Sequence, residues 1–191
     1  CGRDWSSDVC SSDLRISEML SSITQPQLER YYKLRYDRAC KHSDSPVTLS
    51  FDSTSISTYS NTINAAAWGH AKQNPELRQV NYMTVCDHAT GDVVFACSCD
   101  GSINDQTILP EIYLRMKFAG LDLTNNILVT DRGFQSIYNT QTAINLNLKY
   151  IQFLSLKEGA VKAHLQRHKQ ALCDSIAHKD PVLGISAIAV P

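Results

Sequence analysis

Two short β-rich runs, each closed by an aspartate, constrain this chain more than any other feature. In VTLSFDSTS, from Val47, the residues Val47, Leu49 and Phe51 alternate with Thr48, Ser50 and Asp52, which predicts a strand ending at or just after Asp52. NNILVTD carries an apolar stretch from Ile127 to Val129 that reads as a buried strand with Asp131 at its carboxyl end. Between them, QVNYMTVCDHATGDVVFACSCDG has two β-rich runs about ATGD, a hairpin with Thr90-Gly91 at its tip. Asp105 stands where an N-cap would, before TILPEIYLRMKFAG, with Pro110 in the first turn and Gly120 as the stop. A helix over Ser136 to Leu148 and a strand over KYIQFLSL follow. The order predicts an α/β fold whose mixed sheet begins with three antiparallel strands and continues with parallel strands joined by helical crossovers.

The flanks divide the chain further. Residues 4–14, DWSSDVCSSDL, resemble a translated sequencing adapter, have no periodicity or cap, and set residues 1–14 aside as an artefact. Residues 15–44 are a helical lead-in: Ile16, Met19, Leu20 and Ile23, then Leu28, Tyr31, Tyr32 and Leu34, recur at helical steps on either side of Gln25-Pro26. Residues 45–156 make the core, and 157–191 begin an insertion or following helical region whose VKAHLQRHKQALCDSIAHK carries a basic face. The apolar close PVLGISAIAVP reads as an open frame cut short, so the sheet domain is expected to be incomplete at the C-terminus.

Charge alone does not suggest nucleic acid. The formal net charge of −1 becomes +1 once Arg3, Asp4, Asp8 and Asp13 are left out, so any DNA affinity must come from local patches. Past residue 14 the cysteines are Cys40, Cys86, Cys97, Cys99 and Cys173, an odd set, with no signal peptide and no apolar run long enough to span a membrane. The expectation is a cytoplasmic protein with reduced thiols and no membrane partner.

If the first and fourth strands lie side by side, Asp52 and Asp131 converge although they stand 79 positions apart. Carboxyl ends of strands are where ligands gather in α/β sheets. Two carboxylates brought together would force one to take up a proton unless a divalent cation joins them, and such hard oxygen donors suit Mg²⁺ or Mn²⁺. A pair of these ions about 3.5–4 Å apart activates an attacking oxygen and stabilises a leaving one in phosphodiester chemistry.

FDSTSISTYSNT, AAAWGHAK, LRQVNYMTVCDHATGDVVFACSCDGSINDQTIL and VTDRGFQS, in that order, resemble the DDE transposases of bacterial insertion sequences. The matching positions are Asp52 after the opening strand, Trp68-Gly69, Gly101 with Asp105 in a Gly-x-x-x-Asp turn, and Asp131-Arg132-Gly133-Phe134; the likeness covers about residues 15–156. It implies a ribonuclease-H-like fold, Asp52 and Asp131 as catalytic metal ligands, and Mg²⁺ or Mn²⁺ as cofactor. It also implies DNA as partner, both element ends and target, with a homo-oligomer assembled on it. The third acid of the family, a glutamate on a helix after an insertion beyond the fifth strand, is expected past Pro191; Glu158 follows the fifth strand too directly to replace it.

Other residues admit a chemical and a plain reading. Cys86-x-His88 and Cys97-x-Cys99 alternate in step along the hairpin and suggest zinc, yet a register with Cys86 opposite Phe95 leaves the thiols diagonal, roughly 7–8 Å apart at the backbone; small buried hydrophobes are the commoner use. Trp68, Tyr59 and Tyr82 suit base stacking, although core packing is the ordinary fate of an aromatic. Arg132 suits a phosphate or a neighbouring acid. Lys162, His164, Arg167, His168 and Lys169 form a basic stripe better read as a solvated face. The favoured function is DNA cleavage and strand transfer. A strand-end aspartate nucleophile of another α/β phosphoryl-transfer class wants a second acid two residues on, where Thr54 stands, and a non-catalytic DNA-binding remnant is the third reading.

Overall fold

The computed structural model describes residues 6–42, 46–69, 74–155, 157, 159–174 and 187. It has five helices and five strands among them: α1 (Ser6–Ser21), α2 (Gln25–Lys41), β1 (Thr48–Thr58), β2 (Arg78–Asp87), β3 (Val93–Asp100), α3 (Leu109–Phe118), β4 (Ile127–Thr130), α4 (Ile137–Asn145), β5 (Lys149–Gln152) and α5 (Gly159–Asp174). The strands form one sheet in the order β3-β2-β1-β4-β5. β1 pairs antiparallel with β2 and parallel with β4, β2 antiparallel with β3, and β4 parallel with β5. The α/β fold with an antiparallel three-strand start and parallel continuation is the one expected. Two compact units divide at the end of β5, residues 1–152 and 153–191.

Helix α2 starts where the sequence signals it. Thr24 caps it in a capping box with Gln27, Pro26 sits in the first turn where its missing N–H costs nothing, and Arg38 and Lys41 lie in the last turn. α1 reaches back to Ser6, inside the segment set aside as adapter-derived, so residues given no structure by the sequence reading are helical here. Its described apolar side chains add little burial: Leu14, Ile16, Met19 and Leu20 are all more than half exposed.

One sheet face carries the core. Leu49 and Phe51 of β1, Met83 and Val85 of β2, Phe95 of β3 and Leu128 of β4 are buried on it. Tyr32 of α2 stacks tilted on Phe95 at 4.9 Å between ring centroids, while Ile112 and Met116 of α3 and Ala143 of α4 join the same cluster. The spacing of four between Ile112 and Met116 is what turns both toward the sheet. Tyr36 ties α2 to the loop before β4 by donating to the Asp122 carbonyl and accepting from Asn126. Burial, with the Cys40 thiol beside it, raises the Tyr36 hydroxyl above its usual pKa. Helix α3 ends in a Schellman pattern, Gly120 N–H to Lys117 carbonyl and Leu121 N–H to Met116 carbonyl, with Gly120 at φ 79° as predicted.

Two strand boundaries and one register differ from the sequence reading. β1 does not stop at Asp52 but runs to Thr58, because Ser-Thr-Ser-Ile-Ser-Thr keeps a β-branched alternation and Thr54–Thr58 pair with Tyr82–Arg78. β5 covers only Lys149–Gln152, the length over which β4 faces it. In the hairpin, a bulge at Val85/Cys86 puts Cys86 opposite Val93 rather than Phe95, while Cys97 faces Met83 and Cys99 faces Asn81. Strand alternation then sends Cys86 to one face and the Cys97/Cys99 pair to the other, so the four-ligand zinc arrangement does not form.

Phe134 is 1% exposed and meets Phe51 edge-on at 6.0 Å, joining the end of β4 to β1. Phe134→Ala is expected to cost about 3–5 kcal/mol in urea unfolding. Removing residues 1–14 is expected to leave the unfolding midpoint unchanged.

Candidate active site at the β1–β4 split

The parallel pairing of β1 with β4 ends at Phe51 opposite Thr130. Asp52 and Asp131 are the next residue on each strand, so the register places the two aspartates at adjacent positions where the chains part. β1 continues straight along β2, whereas β4 turns off through a 3₁₀ turn over Arg132–Phe134. Asp131 caps that turn, its Oδ1 accepting from Gly133 N–H at 2.8 Å. Oδ1 of Asp52 accepts from its neighbour's N–H, Ser53, also at 2.8 Å. Both aspartates are exposed, and each keeps its second carboxylate oxygen outside those two bonds.

The environment of Asp52 is fixed by its strand phase. It shares the open face with Thr84 and Cys86 of β2, and the Cys86 thiol is pushed up first by burial and then by the Asp52 charge. Ser50, one step back on that face, sits 3.2 Å from His88 Nδ1.

Asp105 is the residue the sequence reading placed wrongly. It does not cap α3, which begins at Leu109 with Ile108 in the N-cap position and no side-chain cap. Asn104 makes the local turn instead, accepting from Gln106 N–H at 3.1 Å. Freed from capping, Asp105 Oδ2 accepts from Ser53 Oγ at 2.7 Å. A Cβ built on Gly133 would lie 3.0 Å from Asp131 Oδ1 and 3.6 Å from Asp105 Oδ2, which puts the two acids around the same glycine. Asn139, fully buried in α4, donates to the carbonyls of Asp105 and Phe134 at 3.0 and 2.8 Å and locks both loops together.

Asp52, inside β1 where β4 departs, and Asp131, just past the end of β4, are hard oxygen donors that match the chemistry of a divalent ion such as Mg²⁺ or Mn²⁺. Among the described residues no group of three or more His, Cys, Asp or Glu side chains forms a ready metal cluster. Glu158 lies outside the described residues. Arg132 is exposed and makes none of the ion pairs found among them. In the second unit, Lys162, His164, Arg167 and Lys169 of α5 are exposed, in keeping with a solvated face, and the His164 and His168 rings stack at 4.7 Å. No helix among the described residues is long and apolar enough to cross a membrane.

Next to the acids lies a cleft of about 460 Å³ bordered by Ser53, Ser55, Trp68, Gln79, Asn81 and Asp105. Trp68, Tyr59 and Tyr82 are 63%, 83% and 37% exposed, so the core reading of these aromatics gives way. Gln79 and Asn81 were missed; the available signal was their phase, since they alternate on β2 with buried Met83. The cleft wall depends on close backbone approach. Ala67 and Gln79 exchange two backbone hydrogen bonds of 3.0 and 2.9 Å, and Gly101 N–H donates to the Ala65 carbonyl.

No family model matches the chain, and no curated protein does. Solved structures that resemble it include the piggyBac transposase synaptic complex with hairpin DNA, at TM-score 0.39 and 12% identity over 64% of this chain and 26% of that one. The Mos1 transposase paired-end complex with the left transposon end gives TM-score 0.38 and 13% identity over 83% and 57%. Endonuclease V of Ciona intestinalis, bound to an inosine-containing DNA, gives 0.32 and 12% over 83% and 69%. The chain spans about a quarter of the piggyBac chain and just over half of the Mos1 chain. Identities this low leave residue roles to this chain's own geometry.

A Cβ on Gly101 would sit 1.9 Å from the Gln79 carbonyl oxygen, and one on Gly69 would sit 2.1 Å from the Gly101 oxygen, so backbone must move in either case. Gly91 has φ 73° but open space around it. Gly101→Ala is therefore expected to lower the thermal midpoint far more than Gly91→Ala, whose left-handed strain costs about 1–2 kcal/mol. Equal losses would contradict the close-approach geometry.

Proposed function

We propose that this chain is part of the catalytic core of a DDE-type DNA transposase of bacterial insertion-sequence kind, cutting and joining DNA by metal-dependent phosphodiester chemistry. The observation that carries the reading is the strand register: Phe51 faces Thr130, so the next residues, Asp52 within β1 and Asp131 just past β4, stand at adjacent positions. The motif order around them, from FDSTS through the Trp68-Gly69 and Gly101-to-Asp105 segments to DRGF, supports the same reading.

In this proposal Asp52 and Asp131 hold a shared Mg²⁺ or Mn²⁺, which when bound lowers the cost of negative charge building up on phosphate, attacking and leaving oxygens. The backbone N–H groups of Ser53 and Gly133 hold one oxygen of each carboxylate, which fixes the direction of the other. Gly133 leaves room for the Asp131 carboxylate, and exposed Arg132 beside it meets the DNA backbone, where a planar guanidinium grips a phosphate by two hydrogen bonds. Water first cuts a strand to free a 3′ hydroxyl at the element end, and that hydroxyl then attacks target DNA; both are in-line displacements at one site. A homo-oligomer on DNA would bring the two element ends together.

A Mg²⁺ ion needs about six oxygen ligands, more than two aspartates supply, and this reading takes the family's third acid from a segment outside residues 1–191. This chain by itself is therefore expected to bind Mn²⁺ weakly and to leave DNA carrying the element ends uncut. A longer protein with the downstream segment should cut it, and Asp52→Asn or Asp131→Asn in that protein should abolish cutting while the fold persists by circular dichroism. Metal-dependent nicking by the short chain that disappears on Glu158→Gln would overturn the placement of the third acid. Full cutting by both aspartate variants would overturn the function.

A further inference from the structure

We propose that the cleft between Trp68 and Asp105 is a pocket for a single nucleobase turned out of DNA, stacked by Trp68 and read through an exocyclic amino group by Gln79. This deepens the transposase reading and rests on it for the source of the base.

The covered face of the sheet changes character along β1 and β2. Leu49 and Phe51 are buried there, with Val85 across from Phe51 and Met83 across from Ser53. Beyond them the same face presents Ser53, Ser55 and Ser57, with Asn81 opposite Ser55 and Gln79 opposite Ser57. A polar strip of this kind inside a fold is costly unless its groups are paired. One is not: Gln79 is 2% exposed, and its Oε1 has no hydrogen-bond partner. Its amide orientation is set by the other end, since Nε2 donates to the Gly101 carbonyl at 2.9 Å and to Asn81 Oδ1 at 3.2 Å. A buried acceptor left unpaired costs about 1–3 kcal/mol, which a donor entering the cleft would recover.

The rest of the wall defines what kind of donor fits. Among the described residues no Lys or Arg lines the cleft and one acid, Asp105, does, a lining that suits an uncharged ring better than a phosphate. Trp68 lines the cleft at 63% exposure on a backbone held by the two Ala67–Gln79 hydrogen bonds. A rigidly mounted, exposed indole is a stacking platform for a flat ring. The volume of about 460 Å³ lies in the range of roughly 300–1,000 Å³ common for small-ligand sites. Asp105, shared between cleft and acids, lies around the same glycine as Asp131. A base seated in the cleft would therefore carry its own phosphate toward the Asp52–Asp131 pair. Adenine, cytosine and guanine present the exocyclic amino donor that Gln79 lacks, and thymine does not.

The chain has two tryptophans, Trp5 and Trp68, so the full-length Trp5→Phe protein reports on Trp68 alone. Its emission would be titrated, without divalent ions, with four trinucleotides that keep thymidine at both ends: central adenine, central purine lacking the amino group, central thymine, and an abasic centre. Saturable quenching by the adenine form is expected, with at least threefold weaker binding of the amino-free purine and thymine forms and no quenching by the abasic one. The same adenine titration on Trp5→Phe with Gln79→Met should lose the preference for the amino group while keeping the quenching. If that variant does not fold, 2-aminopurine emission with native and Trp68→Ala proteins decides, the native protein alone being expected to quench the probe. Absence of quenching by the adenine form, or equal quenching by the abasic form, overturns the pocket; equal affinity for the amino-free purine overturns the role of Gln79. Because the assay needs neither metal nor cleavage, quenching in a protein whose aspartate variants still cut would sink the catalytic reading alone, and cutting without quenching would sink the pocket alone.

Discussion

β1 is the strand at which the sheet changes sense, with an antiparallel partner on one side and a parallel one on the other. The two pairings differ in length. Ten residues of β1 face β2, from Leu49 to Thr58, whereas β4 accompanies it only from Thr48 to Phe51. Everything of chemical interest lies where one partner departs and the other remains. Had β4 run on beside β1, Asp131 would be one more paired residue in a ladder; instead it caps a 3₁₀ turn and stands at a free strand end beside Asp52.

That departure also accounts for the change in polarity on the covered face. Up to Phe51 and Thr130 the covered face packs into one cluster with α3, α4 and Phe134, and its residues are apolar apart from buried Asp87 and Thr130. Past that line the roof is made by loops instead, the Asp105 segment and the Trp68-Gly69 segment, and β1 and β2 answer with serines, Asn81 and Gln79. Loops bring backbone carbonyls and amides that must be satisfied, which is why Asn81 donates to the Ile103 carbonyl and Gln79 to that of Gly101. Glycine at positions 69 and 101 is what lets those loops touch the strand, since neither has space for a side chain.

The succession of strands and helices along the chain was legible because it rests on short-range patterns: alternation in Val47–Phe51, an unbroken apolar run before Asp131, a Thr-Gly tip, and a Gly120 stop. Each is fixed within a few residues. What escaped depended on partners far away in sequence. Nothing local tells that β1 continues past Asp52, because the reason is the presence of Arg78–Tyr82 on its flank. The bulge at Val85/Cys86 is likewise a matter of two strands, and it separates cysteines that a straight register would have kept in step. Asp105 fits an N-cap pattern well, yet Asn104 takes the turn and Ser53, 52 residues away, takes the carboxylate. Gln79 and Asn81 carried a readable hint in their phase with Met83, but a polar residue in a buried phase says only that something must pair with it.

The two halves of the site are consequently held by different kinds of interaction. The carboxylates take their orientation from backbone N–H groups one and two residues away, contacts that survive as long as the local chain path does. The cleft takes its shape from Gly101 against Gln79 and Gly69 against Gly101, contacts spanning 22 and 32 positions of sequence. Local interactions form early and tolerate change at a distance, while long-range ones carry a larger chain-entropy cost and respond to any shift in packing. A site built this way can keep its pair of acids constant while the neighbouring cleft changes shape through residues that never touch the acids. Asp105 is the link between the halves, because it borders the cleft, accepts from Ser53 and flanks the same glycine as Asp131.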